Sequence, residues 1–261
     1  MQNICLIIGA GAGIGGNVAK VFASDGYHVY LTRRSDEKGL NRLIDQIKSD
    51  GGKASGTLIN AVKDNTIEEL VHNIEKDLGP ISVAIYNLGA QIGNKKLEDL
   101  TLKQFDLGFK MGTLGIFRLC KTLFPYMEKR GGGTLIATSS TASVRGNRGQ
   151  HSHAAAMGAR RMLCQTLNDE FSFKGIHIVH AIIDGAVDAP DTLGKMLGSE
   201  AYEKLRKEVG LEKDGLILPE KIAESYLHLT KQHRSAWTHE IDFRAFSDQP
   251  WWNTATDNYN F

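Results

Sequence analysis

Short apolar runs rich in β-branched residues alternate along this chain with longer amphipathic segments. Runs of that kind fit strands that are buried on both faces, and the segments between them fit helices that cover a sheet. The alternation therefore predicts an α/β fold with a parallel sheet of about seven strands. The predicted strands are residues 4–8, 28–32, 54–59, 82–86, 134–138, 176–182 and 240–243.

The segments between the strands contain ordinary helix signals. Thr101 and Gln104 have the spacing of a capping box, which predicts a helix that begins there and runs towards Tyr126. Pro219 occupies a position typical of a first helical turn. Residues 188–215 have weaker periodicity, and we expect a mobile lid there. No repeat or low-complexity linker divides the chain, so residues 1–261 are expected to form one domain.

Composition restricts the partners of this protein. Lys and Arg number 31 against 30 Asp and Glu, a balance that excludes a strong electrostatic attraction to nucleic acid or to an anionic membrane. No run approaches the roughly 18 apolar residues of a membrane span. The three cysteines, Cys5, Cys120 and Cys164, have no CxxC spacing and are expected to be reduced thiols in the cytoplasm. The nine histidines suggest no metal-ligand set, and we predict no metal site.

A glycine-rich segment, 9–15, joins the first strand directly to a helical segment. Glycines in that context let the backbone turn sharply and approach a pyrophosphate, which then lies on free N–H groups at a helix N-terminus. A tight turn without a ligand is the alternative. The candidate cofactor residues in this loop are Gly9, Gly13, Ile14 and Gly15.

Further motifs follow three later strands. Asn87-x-Gly89 comes after the fourth strand, Ser139-Ser140 ends the fifth, and Asp184-Gly185-x-Val187 comes after the sixth. Together with the glycine segment, these motifs resemble the short-chain dehydrogenase/reductase family over about residues 3 to 245. The resemblance implies a Rossmann-type, doubly wound sheet in three α/β/α layers. It also implies a nicotinamide dinucleotide, oxidoreductase chemistry on an alcohol or carbonyl, and cofactor contacts from Asn87, Gly89, Asp184, Gly185 and Val187.

The end of the second strand indicates which cofactor is preferred. A carboxylate there would pair with the ribose hydroxyls of NAD, but the chain has Thr32 followed by Arg33 and Arg34. Guanidinium groups suit a 2′-phosphate, so NADP(H) is preferred and NAD(H) remains possible. Two solvated loop arginines are the alternative. Asn60 stands where the family usually has an Asp near the adenine.

The resemblance fails at the catalytic residues. The family uses a Ser that orients the carbonyl, a Tyr that transfers the proton, a Lys that lowers the Tyr pKa and an Asn that completes a proton relay. The Ser is present as Ser140. The Tyr, Lys and Asn positions hold His153, Met157 and Gly112.

Two interpretations of these replacements stay open. A His with its ordinary pKa near 6.5 needs no cation to act as an acid or base, so His153 is a candidate proton donor or acceptor. The chain would then be an NADP(H)-dependent oxidoreductase acting on an unidentified carbonyl or secondary alcohol. A Lys beside the ring would disfavour the imidazolium, which makes the loss of Lys coherent. The alternative is a catalytically degenerate NADP(H)-binding protein with a sensing or assembly role.

Three charged neighbours of these residues are expected to lie outside the site. His151, two residues from His153 on one helix, is expected at the surface or in a subunit contact. Arg160 and Arg161 follow Met157 by three and four residues, and Arg161 could share its helix face, but we expect both arginines to form surface or interface ion pairs.

The C-terminal tail, about residues 247–261, is rich in aromatic side chains. We expect it to pack on a neighbouring subunit or to cover a substrate pocket, because such a cluster is costly in solvent. A tail folded on its own domain is the alternative. A homodimer or homotetramer is therefore predicted. The aromatic residues are Trp251, Trp252, Tyr259 and Phe261.

Overall fold

A computed structural model of the chain describes residues 3–89 and 94–253. Seven parallel strands form one sheet in the order β3-β2-β1-β4-β5-β6-β7. This confirms the predicted fold class, and every predicted strand lies within a few residues of an observed one. The strands are β1 (Ile4–Ile8), β2 (His28–Arg33), β3 (Lys53–Leu58), β4 (Ile81–Tyr86), β5 (Gly133–Ser140), β6 (Ile176–Ile183) and β7 (Glu240–Phe243).

Helices cover both faces of the sheet. The helices are α1 (Ile14–Ser24), α2 (Glu37–Ser49), α3 (Thr66–Asp77), α4 (Leu102–Phe109), α5 (Gly115–Lys129), α6 (His151–Phe171), α7 (Lys195–Leu197), α8 (Ser199–Leu205) and α9 (Pro219–Thr230). One apolar core lies between the sheet and α1, α2 and α9, and a second lies between the sheet and α3, α5 and α6. The strand order reverses at β1, between β2 and β4, where α/β sheets of this kind have a crevice at the carboxyl ends of the strands.

The helix predicted from Thr101 towards Tyr126 differs from the observed structure in its middle. Thr101 caps α4 through a capping box with Gln104, as predicted. A π-helical turn, Lys110–Leu114, then separates α4 from α5. Carbonyl groups in this turn accept hydrogen bonds from outside the helix, for example the Met111 carbonyl from the Tyr86 hydroxyl at 2.7 Å. These outside donors satisfy backbone groups that a wider helical turn displaces.

The described part of the tail packs on its own domain, which fits the alternative given for it above. The Trp251 amide donates to Asp184 at 2.9 Å, and the Trp251 ring N–H donates to Asp242 at 3.1 Å. The Arg244 guanidinium lies over the Trp252 ring, which still has 61% of its surface exposed. Tyr259 and Phe261 lie outside the described residues.

Two further features are the state of the cysteines and the character of the helices. Cys5, Cys120 and Cys164 are buried free thiols, as expected. Within residues 3–89 and 94–253, no helix has both the length and the apolar character needed to cross a bilayer.

Candidate functional site

The glycine loop closes tightly against the ends of β1, β2 and β4. Gly9 has a φ of +98°, a conformation that L side chains rarely adopt. A Cβ at Gly15 would collide with the Gly9 carbonyl oxygen, so this close backbone approach requires glycine. The Asn87 side-chain amide donates to the same Gly9 carbonyl at 2.9 Å and ties β4 to the loop. The chain then enters α1, whose first turn has no capping side chain and so has free N–H groups that fit a phosphate.

The two arginines after β2 have different environments. The Arg33 Nε donates to the Ala10 carbonyl of the glycine loop at 2.7 Å, and its guanidinium forms an ion pair with Asp36. Asp36 in turn caps α2 by accepting from the Gly39 amide at 3.0 Å. Arg34 is exposed and has no ion pair among the described residues. Arg33 therefore shapes the loop, whereas Arg34 is free to meet an anionic ligand.

One continuous cleft of about 480 Å³ connects this loop with the end of β5. Asn60 is not in it but lines a neighbouring cavity of about 330 Å³, together with Arg33 and Arg34. Most predicted site residues line the main cleft, namely Gly9, Gly13, Ile14, Gly15, Arg33, Arg34, Asn87, Gly89, Ser140, His153, Gly185 and Val187. Asp184 borders a third cavity of about 290 Å³.

Asp184 is turned towards the tail. Its carboxylate accepts from the Arg244 guanidinium at 3.1 Å and from the Trp251 amide at 2.9 Å. The side chain is buried and both of these donors lie outside the main cleft. The structure therefore joins Asp184 to the C-terminal segment rather than to the other predicted cofactor residues.

Ser140 and His153 meet at the far end of the cleft. Ser140 is the last residue of β5, His153 lies in the first turn of α6, and the Ser140 Oγ is 3.1 Å from the His153 Nε2. The Ser140 Oγ also accepts from the Ala142 amide at 3.3 Å. His153 is only 8% exposed, and its Nδ1 is buried without a hydrogen-bond partner among the described residues.

Met157 and Gly112 lie beneath this pair. Met157 is 1% exposed, and its sulfur accepts a hydrogen bond from the Ser139 hydroxyl at 3.7 Å. Gly112 is buried in the π-helical turn, and its carbonyl accepts from the Arg160 Nε at 2.6 Å. The expectation that Arg160 lies at the surface is wrong, because its side chain is fully buried.

Helix periodicity explains the position of Arg160. Residues 153, 157, 160 and 164 share one face of α6, and all four are buried. The neighbouring arginine behaves as expected, since Arg161 forms a two-bond ion pair with Glu240 at 2.7 and 2.8 Å. His151, also on α6, is exposed as predicted.

The environment of His153 changes its acid–base behaviour. Burial lowers the pKa of His153, and the positive charge of Arg160 lowers it further, to about 4. The ring is therefore less basic than an imidazole with the ordinary pKa near 6.5. Near pH 7 the His153 imidazole is neutral and can accept a proton.

Comparison with known proteins shows the family to which this chain belongs. The model of the family described as short chain dehydrogenase matches residues 3–196. The chain belongs to the short-chain dehydrogenase family. Its relatives include the 3-oxoacyl-(acyl-carrier-protein) reductase FabG of Thermotoga maritima, which is 28% identical over 242 residues. That alignment covers 91% of this chain and 94% of the relative, so the similarity extends over nearly the whole of both.

Solved structures of other dehydrogenases have the same fold. A short-chain dehydrogenase from Rhodopseudomonas palustris superposes with a TM-score of 0.78 at 27% identity, covering 94% of this chain and 100% of that one. An alcohol dehydrogenase from Thermococcus sibiricus superposes with a TM-score of 0.80 at 24% identity, covering 96% and 99%.

Sequence reasoning missed two arginines of this short-chain dehydrogenase. Arg160 left one signal, a charged residue on the apolar face of α6 that also holds Met157 and Cys164. Arg145 left none, because it lies in a loop without periodicity. It lines the 290 Å³ cavity beside Ser140 and donates to the Trp251 carbonyl at 3.0 Å.

Proposed function

We propose that this chain is an NADP(H)-dependent oxidoreductase that interconverts a secondary alcohol and a carbonyl compound. The observation that supports this most is the open cleft that runs from the glycine loop to Ser140 and His153. Among the described residues, neither Met157 nor the tail is part of its lining. Both a cofactor-binding loop and a proton-transfer pair therefore face one space, as hydride transfer at a substrate carbon requires.

The fit to NADP(H) rests on the chemistry of the donors. The free N–H groups of α1 suit a pyrophosphate, and Arg33 and Arg34 border both cavities at the end of β2. Asp36 offsets part of the Arg33 charge, so Arg34 is proposed as the main contact of a 2′-phosphate. The Thermococcus alcohol dehydrogenase was solved with 5-hydroxy-NADP. NAD(H) remains a possible second cofactor.

Ser140 and His153 are proposed to transfer the proton. In alcohol oxidation the substrate hydroxyl gives its proton to the Ser140 Oγ while the Ser140 proton moves to the His153 Nε2, over the 3.1 Å hydrogen bond. Bound NADP⁺ supplies the hydride acceptor. In carbonyl reduction the proton moves along the same atoms in reverse and starts from the imidazolium. Since the His153 pKa is about 4, reduction should slow as pH rises above that value.

The cavity beside this pair indicates a polar substrate. Its wall includes a guanidinium, two carboxylates and several amides, and it is contiguous with Ser140 and His153. The Arg145 Nε in this wall is buried without a hydrogen-bond partner among the described residues, and a polar ligand could accept from it, whereas an apolar ligand would leave it unpaired. We therefore propose a small carbonyl compound with hydroxyl or other polar substituents. The polar wall residues are Arg145, Asn147, Gln150, Asp184, Asp248 and Gln249.

The lid remains part of the proposal. Asp188, at its start, accepts from the Tyr202 hydroxyl and from the Arg206 Nε, the latter at 3.0 Å. These contacts connect α8 to the segment that follows Val187, which lines the cleft. Movement of residues 188–215 would therefore open or close the cofactor side of the site.

We also propose a homodimer or homotetramer in the cytoplasm. Several large apolar side chains on α4 and α5 are exposed in the single chain, among them Leu102 at 89% and Phe117 at 44%. A second copy of the chain would cover such a surface. The reducing environment of the cytoplasm suits three buried thiols that form no disulfide.

The direct test is to titrate NADPH and NADH against the full chain and then to follow NADPH oxidation with a panel of polar and apolar carbonyl compounds. The proposal expects tighter NADPH binding and turnover of at least one polar carbonyl compound. Tight NADPH binding without turnover on any member would favour the catalytically degenerate, sensing or assembly role instead. If neither NADPH nor NADH binds, both the oxidoreductase proposal and the degenerate NADP(H)-binding alternative are refuted.

A further inference from the structure

Arg160 is a buried cation without a counter-ion. Its side chain is fully buried, and no carboxylate of residues 3–89 or 94–253 lies within ion-pair distance of it. Three backbone carbonyls accept from the guanidinium instead: Gly112 at 2.6 Å, Leu88 at 2.7 Å and Thr138. The guanidinium also lies 5.1 Å from the centre of the Tyr86 ring. A buried charge is costly unless it is hydrogen-bonded, and here the three carbonyls satisfy it.

The three carbonyls belong to three separate segments around the site. Leu88 follows β4, Thr138 lies in β5 two residues before Ser140, and Gly112 lies in the π-helical turn between α4 and α5. Leu88 and Thr138 themselves line the main cleft. A planar guanidinium with donors on all three nitrogens can fix these segments relative to one another, which a Lys ammonium at the end of a flexible chain does less rigidly.

We propose that Arg160 is a positioning residue of this active site, which fixes the three backbone segments beneath the Ser140–His153 pair and acts on the His153 ring through its charge. The proposal rests on the proposed function, because it assigns Arg160 to the same proton-transfer site. The family's Lys position holds Met157, so Arg160 is the cation that remains on this face of α6.

The other ionisable groups near His153 are largely engaged elsewhere. In the cavity it shares with them, Asp184 pairs with Arg244, Arg145 donates to the Trp251 carbonyl, and Asp248 is exposed. On the elements packed against α6, Asp106 of α4 pairs with Lys110 of the π-helical turn, and Lys174 pairs with Glu128. On β6, His180 hydrogen-bonds Glu240 and His177 donates to the Thr238 carbonyl, and Lys103 on α4 is exposed. Burial and Arg160 are the two causes that lower the His153 pKa.

The experiment is an NMR titration of the His153 ring in the full chain without cofactor or substrate, with the His153 signal assigned from a His153→Gln variant. The wild type is expected to titrate near 4. Arg160→Met removes the charge at similar volume and should raise the His153 pKa. Arg160→Lys should keep it low, and Arg161→Met, which removes the neighbouring, half-buried ion pair with Glu240, should leave it unchanged.

Kinetics then separate positioning from bulk stability. With an alcohol substrate, at a pH where His153 is neutral in the wild type and in the variants, Arg160→Met should lower kcat more than it changes KM, because positioning is lost while the protonation state of His153 is the same. Arg160→Lys should recover part of that loss. If Arg160→Met folds and its His153 pKa equals that of the wild type, the inference is overturned. If Arg160→Met does not fold, a His153 pKa in Arg160→Lys that is higher than in the wild type overturns it. A wild type without turnover would instead refute the proposed function, because the titration uses no substrate and still reports on Arg160.

Discussion

The two halves of the cleft are built in different ways. In the cofactor half, the contacts meet at a backbone carbonyl of one loop: Gly15 lies against the Gly9 carbonyl, and the Asn87 side chain donates to the same atom. In the catalytic half, side chains contact one another and join separate segments: Ser140 bonds to His153, and Arg160 reaches three segments. A motif specifies the first kind of geometry locally, whereas the second depends on which side chains fill a space together.

The two halves also differ in the solvent exposure of their charged and titratable side chains. Arg34, at the cofactor end, is exposed and can bind or release an anion at small desolvation cost. His153 and Arg160, at the catalytic end, are buried, and burial is the first cause of the lowered pKa of both groups. Substitutions in the catalytic half should therefore have the larger effects.

The largest expected effect is that of His153→Ala on turnover. Removing the proton acceptor should lower kcat by about 10²- to 10⁴-fold, the usual range for general acid–base groups. NADPH affinity should change little, because the cofactor loop is intact. His151→Ala, two residues away on the exposed side of α6, is the matched control and should retain wild-type kcat. A His153→Ala variant with wild-type kcat would remove His153 from the mechanism.

A second substitution probes the space beneath the pair. Met157→Lys restores the family's residue but places a second cation in a buried site that already holds Arg160, so it should destabilise the fold by on the order of 3 kcal/mol. For a chain of this size that corresponds to a fall in Tm of roughly 6–12 °C. Met162→Lys, on the same helix but 50% exposed, should change stability by less than about 0.5 kcal/mol. Equal Tm values in thermal unfolding of the two variants would contradict the claim that Met157→Lys places a second cation in a buried site.

The same division separates the features that the sequence predicted from those that it did not. The strands, the capping box at Thr101 and the glycine loop all came from short patterns in which local propensity and tertiary structure agree. The buried position of Arg160 and the pKa of His153 did not, because they depend on burial within the folded chain and on backbone carbonyls from three other segments. The turn of Asp184 towards Trp251 likewise depends on a tail 67 residues away in sequence.

In the cofactor half, we expect Arg34→Ala to weaken NADPH binding by about tenfold or more, since a hydrogen bond to a charged group contributes about 1.5–3 kcal/mol. NADH binding should stay nearly unchanged. Arg33→Asp should also disturb the loop, because Arg33 donates to the Ala10 carbonyl, and it should reduce the preference for NADPH over NADH. Fluorescence titration of both cofactors measures this, with the exposed Arg148→Ala as control. Equal affinities of the wild type for the two cofactors would contradict the proposed preference.

The last expected effect is at the tail. Deleting residues 250–261 removes the Trp251 donors to Asp184 and Asp242, which should cost about 1–3 kcal/mol of stability in chemical unfolding. If the tail also contacts a second copy, the mass in solution should fall or aggregation should appear. A monomer before and after truncation would leave the proposed oligomer without support from the tail.

The proton path through a neutral His153 is tested most directly by pH profiles of both reaction directions in one buffer series from pH 5 to 9. With a His153 pKa of about 4, NADPH-dependent reduction should fall about tenfold for each pH unit, and NADP⁺-dependent oxidation should stay nearly constant. A reduction rate that is flat up to about pH 6 and falls only above 6.5 would contradict the account, because His153 would then titrate as an ordinary, solvated imidazole.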